Sequence, residues 1–436
     1  MTTKLFDVLE AVRPKAIAQL LSDGLLPAEH RVHWKSITLD CTRLEAPNCF
    51  WAVYAVHLNG TIGRPTRLTL KTFFGDSDFE AYAEKLRERE PERIGDLLHR
   101  RGGIAFLPDE ATVLWTLPYD PRLPGLANAT DGHVVAPVLG VEPADLAVEV
   151  VKYRPELDAT LRYVAAGETL AYGKVSSAKR AARSFSALKA VHKLQQREPA
   201  FVQVPKPLAF VPEGDLMLQG TVPGEAIDSD RSAPRFAEVA DVAARTLAAI
   251  HGSDISLGHT HTLEHDIRHL RGMLPEFAVA APELYLSLRK LLGHVEDRAA
   301  AVEPGPYVPS HGDFKYNQFL WDGERFYLID FEAFCQAEAA YDVGYFCGYL
   351  PSSSLTSWEE ADSAENLRHR FLAAYVEAAG DLDGRRAVLH EATTLALRAS
   401  TLLWRQGRGW QVSAGSLIDL AFERLASYRD DTLIRD

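Results

Sequence analysis

Hydrophobic positions fall into two textures along the chain. Up to about residue 220, short apolar runs alternate with a few amphipathic stretches; beyond it, helical spacing dominates. "CFWAVYAVHLNG", from Cys49, is rich in β-branched and aromatic residues and ends in the turn former Asn59-Gly60, which predicts a strand and a hairpin turn. "RLTLKTFF", Arg67 to Phe74, is its natural partner, and "DSDFEAYAEKLREREPERIGDLLHRRG" predicts the helix that follows, with Gly103 beyond its end. "LPYDPRLPGL", Leu117 to Leu126, carries three prolines and is expected to be an ordered crossing without regular structure. Three consecutive strands are expected in "AVEVVKYRP", "ATLRYVAAG" and "ETLAYGKVSS", separated by Pro155 to Asp158 and by Gly167. A helix follows over 179–195, with Ala182, Phe185, Leu188 and Val191 on one face. The order strand, strand, helix thus occurs twice, around Lys71 and around Lys174.

"DLMLQG" reads as a short strand and "VPG" as the turn after it. Further on, Phe236, Val239, Ala243, Leu247 and Ile250 share one helical face, and 284–300, 364–379 and 385–404 are helical too. The first 30 residues have the pattern of an amphipathic helix and lack the apolar run of a signal peptide. No stretch of 18 uninterrupted apolar residues occurs, so a soluble, cytoplasmic protein without a membrane span is expected.

At 436 residues, two or three domains or lobes are expected. The formal charge of −13 has no compensating lysine- or arginine-rich block, which argues against nucleic acid as a partner. Small anionic ligands stay compatible with it, since a local pocket can be positive on an acidic protein. Four cysteines, Cys41, Cys49, Cys335 and Cys347, lack CxxC spacing and point to neither a structural zinc site nor a disulfide scaffold. No feature of the sequence sets an oligomeric state.

The chemistry concentrates in "HGDFKYNQFLWDGERFYLIDFE", residues 311–332. "QFLW" and "RFYLID" flank Asp322-Gly323, a strong hairpin turn. Asp313 precedes the first run and Asp330 ends the second, so a hairpin would bring the two acids to one end. Two carboxylates, an amide oxygen and a lysine there suit a divalent ion with phosphate groups, because hard oxygen donors hold Mg²⁺. The alternative from the residues alone is a polar hairpin rim, with Asp330 capping a turn.

These residues, with "LIDFE" (328–332), "AYDVGYF" (340–346), "LMLQGTVPG" (216–224) and "LAAIHG" (247–252), resemble the aminoglycoside phosphotransferase and choline kinase-like family, whose catalytic lobe is related to that of protein kinases. In order and spacing the likeness spans roughly residues 150 to 375. It implies an α+β, bilobal protein-kinase-like fold: an antiparallel-sheet small lobe, a mainly helical large lobe and an extra N-terminal α/β region. The corresponding boundaries are 1–135 for the extra region, 136–224 for the small lobe and hinge, and 225–436 for the catalytic and acceptor-binding lobe. It also implies ATP and Mg²⁺ as cofactors and a small molecule bearing a hydroxyl (sugar, aminoglycoside or amino alcohol) as acceptor.

By the same resemblance, Asp313 corresponds to the catalytic aspartate and Asp330 to the metal aspartate. Gln318 stands where most members place an asparagine metal ligand; a glutamine there resembles a maltokinase-like branch, and Asn317 is its competitor for the role. His311 braces the catalytic loop, and Asp342 is the buried structural acid that ties it together. Met217, Leu218, Gln219 and Thr221 are implied at the adenine. Two lysines fit the phosphate-binding position. Lys174 has the right chain order before the hinge; Lys71 has Glu80 and Glu84 on its following helix, acids that the helix after Lys174 lacks. No GxGxxG loop precedes either, so the turn in "YRPELD" is expected over the phosphates, with Arg154 and Arg162 as candidate contacts. Glu264, Asp266, Glu332, Tyr345, Trp404 and Trp410 are candidates for the acceptor side. Two rival classes remain: a catalytically silent nucleotide-binding or scaffolding relative, and a protein kinase. The eleven residues between Asp330 and Asp342 are few for a peptide-docking segment.

Overall fold

The computed structural model describes residues 34–45, 48–58, 66–95, 97, 101–198, 201–227, 234–351, 358–405 and 409–427. The helix expected over the first 30 residues and the Asn59-Gly60 turn lie outside them. The chain divides into two compact units: Met1–Ala182 with Ala209–Leu218, and Arg183–Leu208 with Gln219–Asp436.

The first unit is built on two five-stranded sheets. In one, β1 (Trp34–Glu45), β2 (Cys49–Leu58) and β3 (Thr66–Phe73) form an antiparallel meander, and helix α1 (Asp76–Arg89) leads to β4 (Ile104–Leu107) and β5 (Thr112–Thr116). Its strand order is β1-β2-β3-β5-β4. The helix stops at Arg89 rather than running to Gly103, because Pro91 cannot supply the N–H that its next turn needs. Its buried face carries Phe79, Ala83 and Leu86, which pack on Trp51, Phe73 and Trp115 of the sheet.

After the proline-rich crossing come two short helices, α2 (Leu126–Ala129) and α3 (Gly132–Leu139). The second sheet then repeats the winding of the first. β6 (Ala147–Arg154), β7 (Asp158–Ala165) and β8 (Glu168–Val175) form a meander, helix α4 (Ala178–Arg197) intervenes, and β9 (Pro207–Val211) and β10 (Leu216–Gly220) complete the order β6-β7-β8-β10-β9. The strand-strand-helix recurrence seen in the sequence is therefore a repeat of topology, with one lysine on each third strand. Leu161, Tyr163, Val175, Leu216 and Leu218 form the core of the second sheet and take Val53 of the first into it.

The second unit is mainly helical. α5 (Pro234–His251) buries the expected face of Phe236, Val239, Ala243, Leu247 and Ile250. It is followed by α6 (Leu263–Gly272), α7 (Leu274–Ala280), α8 (Pro282–Ala299), α9 (Ala339–Tyr349), α10 (Trp358–Ala379), α11 (Gly384–Arg405) and α12 (Trp410–Ala426). α6, α8, α11 and α12 enclose a core of Leu270, Leu291, Leu395, Leu417 and their neighbours. Trp410 lies inside this core, so it offers no open face for stacking on a ligand. Among the described residues no helix is long and apolar enough to cross a membrane.

Short strands interrupt the helices. β11 (Glu225–Ala226), β13 (Phe319–Trp321) and β14 (Phe326–Leu328) make one small sheet, and β12 (Tyr307–Ser310) pairs with β15 (Cys335–Glu338). The expected hairpin is present, with Phe319 opposite Leu328 and Trp321 opposite Phe326. Its loop has four residues, 322–325, and not a bare Asp-Gly pair. Asp322 shapes it by accepting the backbone N–H groups of Glu324 and Arg325, both at 2.8 Å.

Candidate active site

The strand β12 ends at Ser310 and the chain turns at Gly312 into the loop that carries Asp313. The turn needs glycine: φ is +83°, and a Cβ would lie 2.1 Å from the carbonyl oxygen of Ala333. Asp342 on α9 fixes the loop from behind. Its Oδ2 accepts the N–H of His311 at 2.6 Å and its Oδ1 accepts that of Gly312 at 2.9 Å. His251 stands 3.5 Å from the same carboxylate and shares a 2.7 Å hydrogen bond with the Tyr375 hydroxyl. Burial alone would raise the Asp342 pKa; the His251 and His311 side chains and the loop N–H groups outweigh it, and the carboxyl sits below its ordinary value.

His311 is fully buried, and burial holds its pKa below the ordinary value. Its Nε2 lies 3.2 Å from the carbonyl of Ile329 and its Nδ1 accepts the N–H of Asp313 at 3.4 Å. A neutral ring protonated on Nε2 satisfies both contacts. His311 thus ties the loop of Asp313 to β14's exit.

The hairpin brings Asp313 and Asp330 together, as its pattern requires. Gln318 stands between them: its Nε2 donates to Asp313 Oδ2 at 2.8 Å and to Asp330 Oδ2 at 3.1 Å. Gln318 is buried, whereas the neighbouring Asn317 is exposed, so glutamine is the amide beside the acids. Asp330 has φ +72° and ψ +60°, a left-handed backbone that is strained for a residue with a side chain.

Asp313 collects further donors. Lys315 Nζ lies 2.7 and 2.8 Å from its two oxygens, and the Tyr345 hydroxyl donates to Oδ1 at 2.6 Å. Burial pulls the Lys315 pKa down, but the charge of Asp313 outweighs it and raises the pKa, so the ammonium is held. Burial, and then the Asp313 charge, push the Tyr345 phenol far above its ordinary value, so it stays a donor. Tyr349 stacks on Tyr345 with centroids 4.8 Å apart, and the cations of Lys315 and Arg398 lie 5.1 and 5.0 Å from its ring. Lys315 is the lysine of the motif, and Tyr345, a candidate for the acceptor side, bonds Asp313 itself, a contact that was not expected. The signal was there: Tyr345 follows Asp342 by three residues on one helix, which sets both on one side of it.

The remaining candidates are carried by other elements. Lys174 is half-buried on β8, opposite Thr160 of β7, and thus at the end of the sheet that carries the β6–β7 turn. Lys71 is buried on β3, and its acid is not Glu80 or Glu84: both point to solvent on α1, and Glu80 faces Arg87. Its partner is Glu156, in the β6–β7 turn. Arg154 is tied to Asp158 and Arg162 to Glu149, across their own hairpin. On β10, Leu218 faces the sheet core, whereas alternation sends Met217 and Gln219 to the other face, both buried, and Thr221 beyond the strand is exposed. Asp266 is paired with His261 at 3.0 Å.

A family model described as the phosphotransferase enzyme family matches residues 172–389, half of the chain. None of the curated proteins matches the sequence. Among solved structures, a choline kinase from Cryptosporidium parvum Iowa II aligns with a TM-score of 0.50 at 12% identity, over 67% of this chain and 92% of its own. A choline/ethanolamine kinase family protein from Mesorhizobium loti gives 0.47 at 17%, over 65% and 92%. A macrolide 2'-phosphotransferase from Brachybacterium faecium gives 0.43 at 16%, over 70% and 98%. The fold is accordingly the bilobal, α+β protein-kinase-like one. The match opens two residues before Lys174 and encloses the loop of Asp313, the hairpin, Asp330 and Asp342; the chain belongs to the phosphotransferase enzyme family.

Proposed function

We propose that the chain transfers the γ-phosphoryl group of ATP to a hydroxyl of a small molecule of the sugar, aminoglycoside or amino-alcohol type. The observation that carries this reading is the convergence of Asp313 and Asp330 on the single amide of Gln318. On this reading residues 136–224 bind the nucleotide and residues 225–436 supply the catalytic loop and the acceptor site.

Magnesium fits the donor set. Among the described residues no group of three or more His, Cys, Asp or Glu could hold a metal ion. Mg²⁺ needs no such cage, since it is commonly held by one or two carboxylates together with substrate phosphates. Asp330 and Gln318 would hold it, the amide presenting its oxygen in place of its nitrogen after a half-turn. When bound, the ion offsets the negative charge of the phosphates.

The chain's own residues do the positioning. Asp313 accepts the hydrogen bond of the incoming hydroxyl and aims its oxygen, and the hydroxyl proton ends on this carboxylate. The hydroxyl takes the place of one of the present donors, and Tyr345 and Lys315 stand on that side. Lys315, released from one Asp313 oxygen, presents its charge to the transferred phosphoryl group. Lys174 supplies the phosphate clamp; the family match, which includes Lys174 and leaves Lys71 outside, supports that choice. Met217 and Gln219 face the adenine, with the backbone at Thr221 reading the base edge.

The test is ATP consumption with Mg²⁺ across sugars, aminoglycosides and amino alcohols, run beside Asp313→Asn. Turnover with one acceptor class, abolished in the variant, is expected. ATP binding without turnover on any acceptor would return the chain to the silent class.

A further inference from the structure

The N-terminal sheet carries a buried charge for which phosphoryl transfer alone gives no reason. Lys71 is 7% exposed, and its Nζ lies 4.1 Å from the ring centroid of Trp51, 4.4 Å from Tyr82 and 5.4 Å from Phe73. Ring faces attract an ammonium but do not neutralise it. Glu156 does so, with Oε2 at 3.1 Å and Oε1 at 3.4 Å. The two residues are 85 positions apart and join the first sheet to the turn of the second sheet's first hairpin.

That turn is held at several points. The Tyr82 hydroxyl donates to the Glu156 carboxylate. The Glu156 N–H donates to Asp120 Oδ2 at 2.8 Å, an oxygen that also accepts the Tyr153 hydroxyl at 2.7 Å. Glu156 has φ +59°, a conformation that only outside contacts keep for a glutamate. Asp158 closes the turn with Arg154 and takes Arg180, at 3.4 Å, from the start of α4. The strand register places Lys174 opposite Thr160, two residues beyond Asp158.

We propose that Lys71 is a positioning residue for the nucleotide: its ion pair with Glu156 fixes the β6–β7 turn in place over the phosphates that Lys174 clamps. This rests on the reading that Lys174 is the phosphate clamp. The turn contains no glycine, so its shape comes from Glu156 being gripped from the first sheet. A glycine-rich loop orders itself around phosphate; a gripped turn is ordered beforehand and loses less freedom on binding.

The experiment compares Lys71→Met, Glu156→Gln, the double variant and Lys174→Met in the full chain. Each is read by amide exchange over residues 153–159, by affinity for a fluorescent ATP analogue with Mg²⁺, and by thermal melting. Lys71→Met keeps the side chain's length among the rings but strips Glu156 of its buried cation and leaves it the exposed Arg122 at 3.9 Å; exchange in the turn should rise and nucleotide affinity fall about tenfold or more. The double variant should recover part of both, because a glutamine can still bond Tyr82. A control in the same sheet, Ile104→Val, should lower melting while leaving nucleotide affinity unchanged. Unaltered exchange in Lys71→Met overturns the proposal, and so does a loosened turn with full affinity. If Lys71→Met does not fold, Glu156→Gln gives the same readout. Loss of affinity in Lys174→Met but not in Lys71→Met sinks this inference alone; full affinity in Lys174→Met sinks the phosphate-clamp reading beneath it.

Discussion

Asp342 holds Gly312 across thirty residues of sequence, through a 2.9 Å hydrogen bond from the glycine N–H to its Oδ1. Both residues are buried, and the glycine's other side is pressed against the carbonyl of Ala333. The loop of Asp313 is therefore clamped between α9 and the segment after Asp330. This clamp sets where Asp313 points before any substrate arrives.

Gly312→Ala tests the clamp. The added methyl meets a backbone oxygen rather than a pliable side chain, and φ is in the left-handed region. A loss of about 3 kcal/mol is expected from strain and overpacking together. Urea denaturation measures it. A loss below about 1 kcal/mol, within reach of left-handed strain alone, would mean that the loop yields easily.

Acid should weaken the fold through Glu338. It is buried with Arg386 and His390, and it accepts the N–H of Gly305. Burial would raise its pKa, but the hydrogen bonds from His390 and Arg386 outweigh this and bring it to about 2. A folded value below the unfolded one means stability that is complete above about pH 4.5 and lost as pH falls towards 2, amounting to about 3 kcal/mol at neutrality. Glu338→Gln should be much less stable than the parent at pH 7, and the gap should narrow at pH 3. An equal gap at both pH values would rule out the linkage.

Asp313→Asn and Asp330→Asn should separate two roles. Asparagine tolerates the left-handed backbone at 330, so neither change should unfold the protein. Asp313→Asn should cut kcat on the order of 10³-fold while nucleotide affinity holds. Asp330→Asn should in addition weaken Mg²⁺-dependent nucleotide binding. Equal effects on binding would merge the two roles.

Gln318→Glu replaces a donor between two acids with a third carboxylate. Without divalent ions it should melt earlier, by on the order of 2 kcal/mol of like-charge repulsion. Added Mg²⁺ should then raise its melting temperature by more than it raises that of the parent. A variant indifferent to Mg²⁺ would count against a metal at this amide.

Much of the fold was legible. Strands at 147–154, 158–165 and 168–175 and the face of α5 follow directly from apolar period, and the hairpin at 319–328 from its turn residues. The acids of the site were legible because a hairpin's ends must meet. What escaped were partnerships over long separations. Lys71 and Glu156 are joined only after two sheets have formed, whereas local spacing offered Glu80 and Glu84. α1 turns those two outward because Phe79, Ala83 and Leu86 claim its inner face. Trp410 likewise reads as a surface ring in isolation and is drawn inside by four packed helices. Tyr345 was legible as an acceptor-side ring but not as a partner of Asp313, since its hydroxyl reaches that carboxylate through the pitch of α9.

The repeated winding of the two sheets also bears on how the chain acquires its shape. Each sheet opens with three strands adjacent in sequence, contacts of short range that form early. Each closes only after a helix has been made and two more strands delivered. The N-terminal sheet leaves the ribosome first and can complete its meander while the second is still being made. The grip of Lys71 on Glu156 closes later, once the second sheet's first hairpin has emerged. The strands of the first sheet end at Thr116, ahead of the hairpin that Lys71 grips, so the surface this hairpin needs is already synthesised when it emerges.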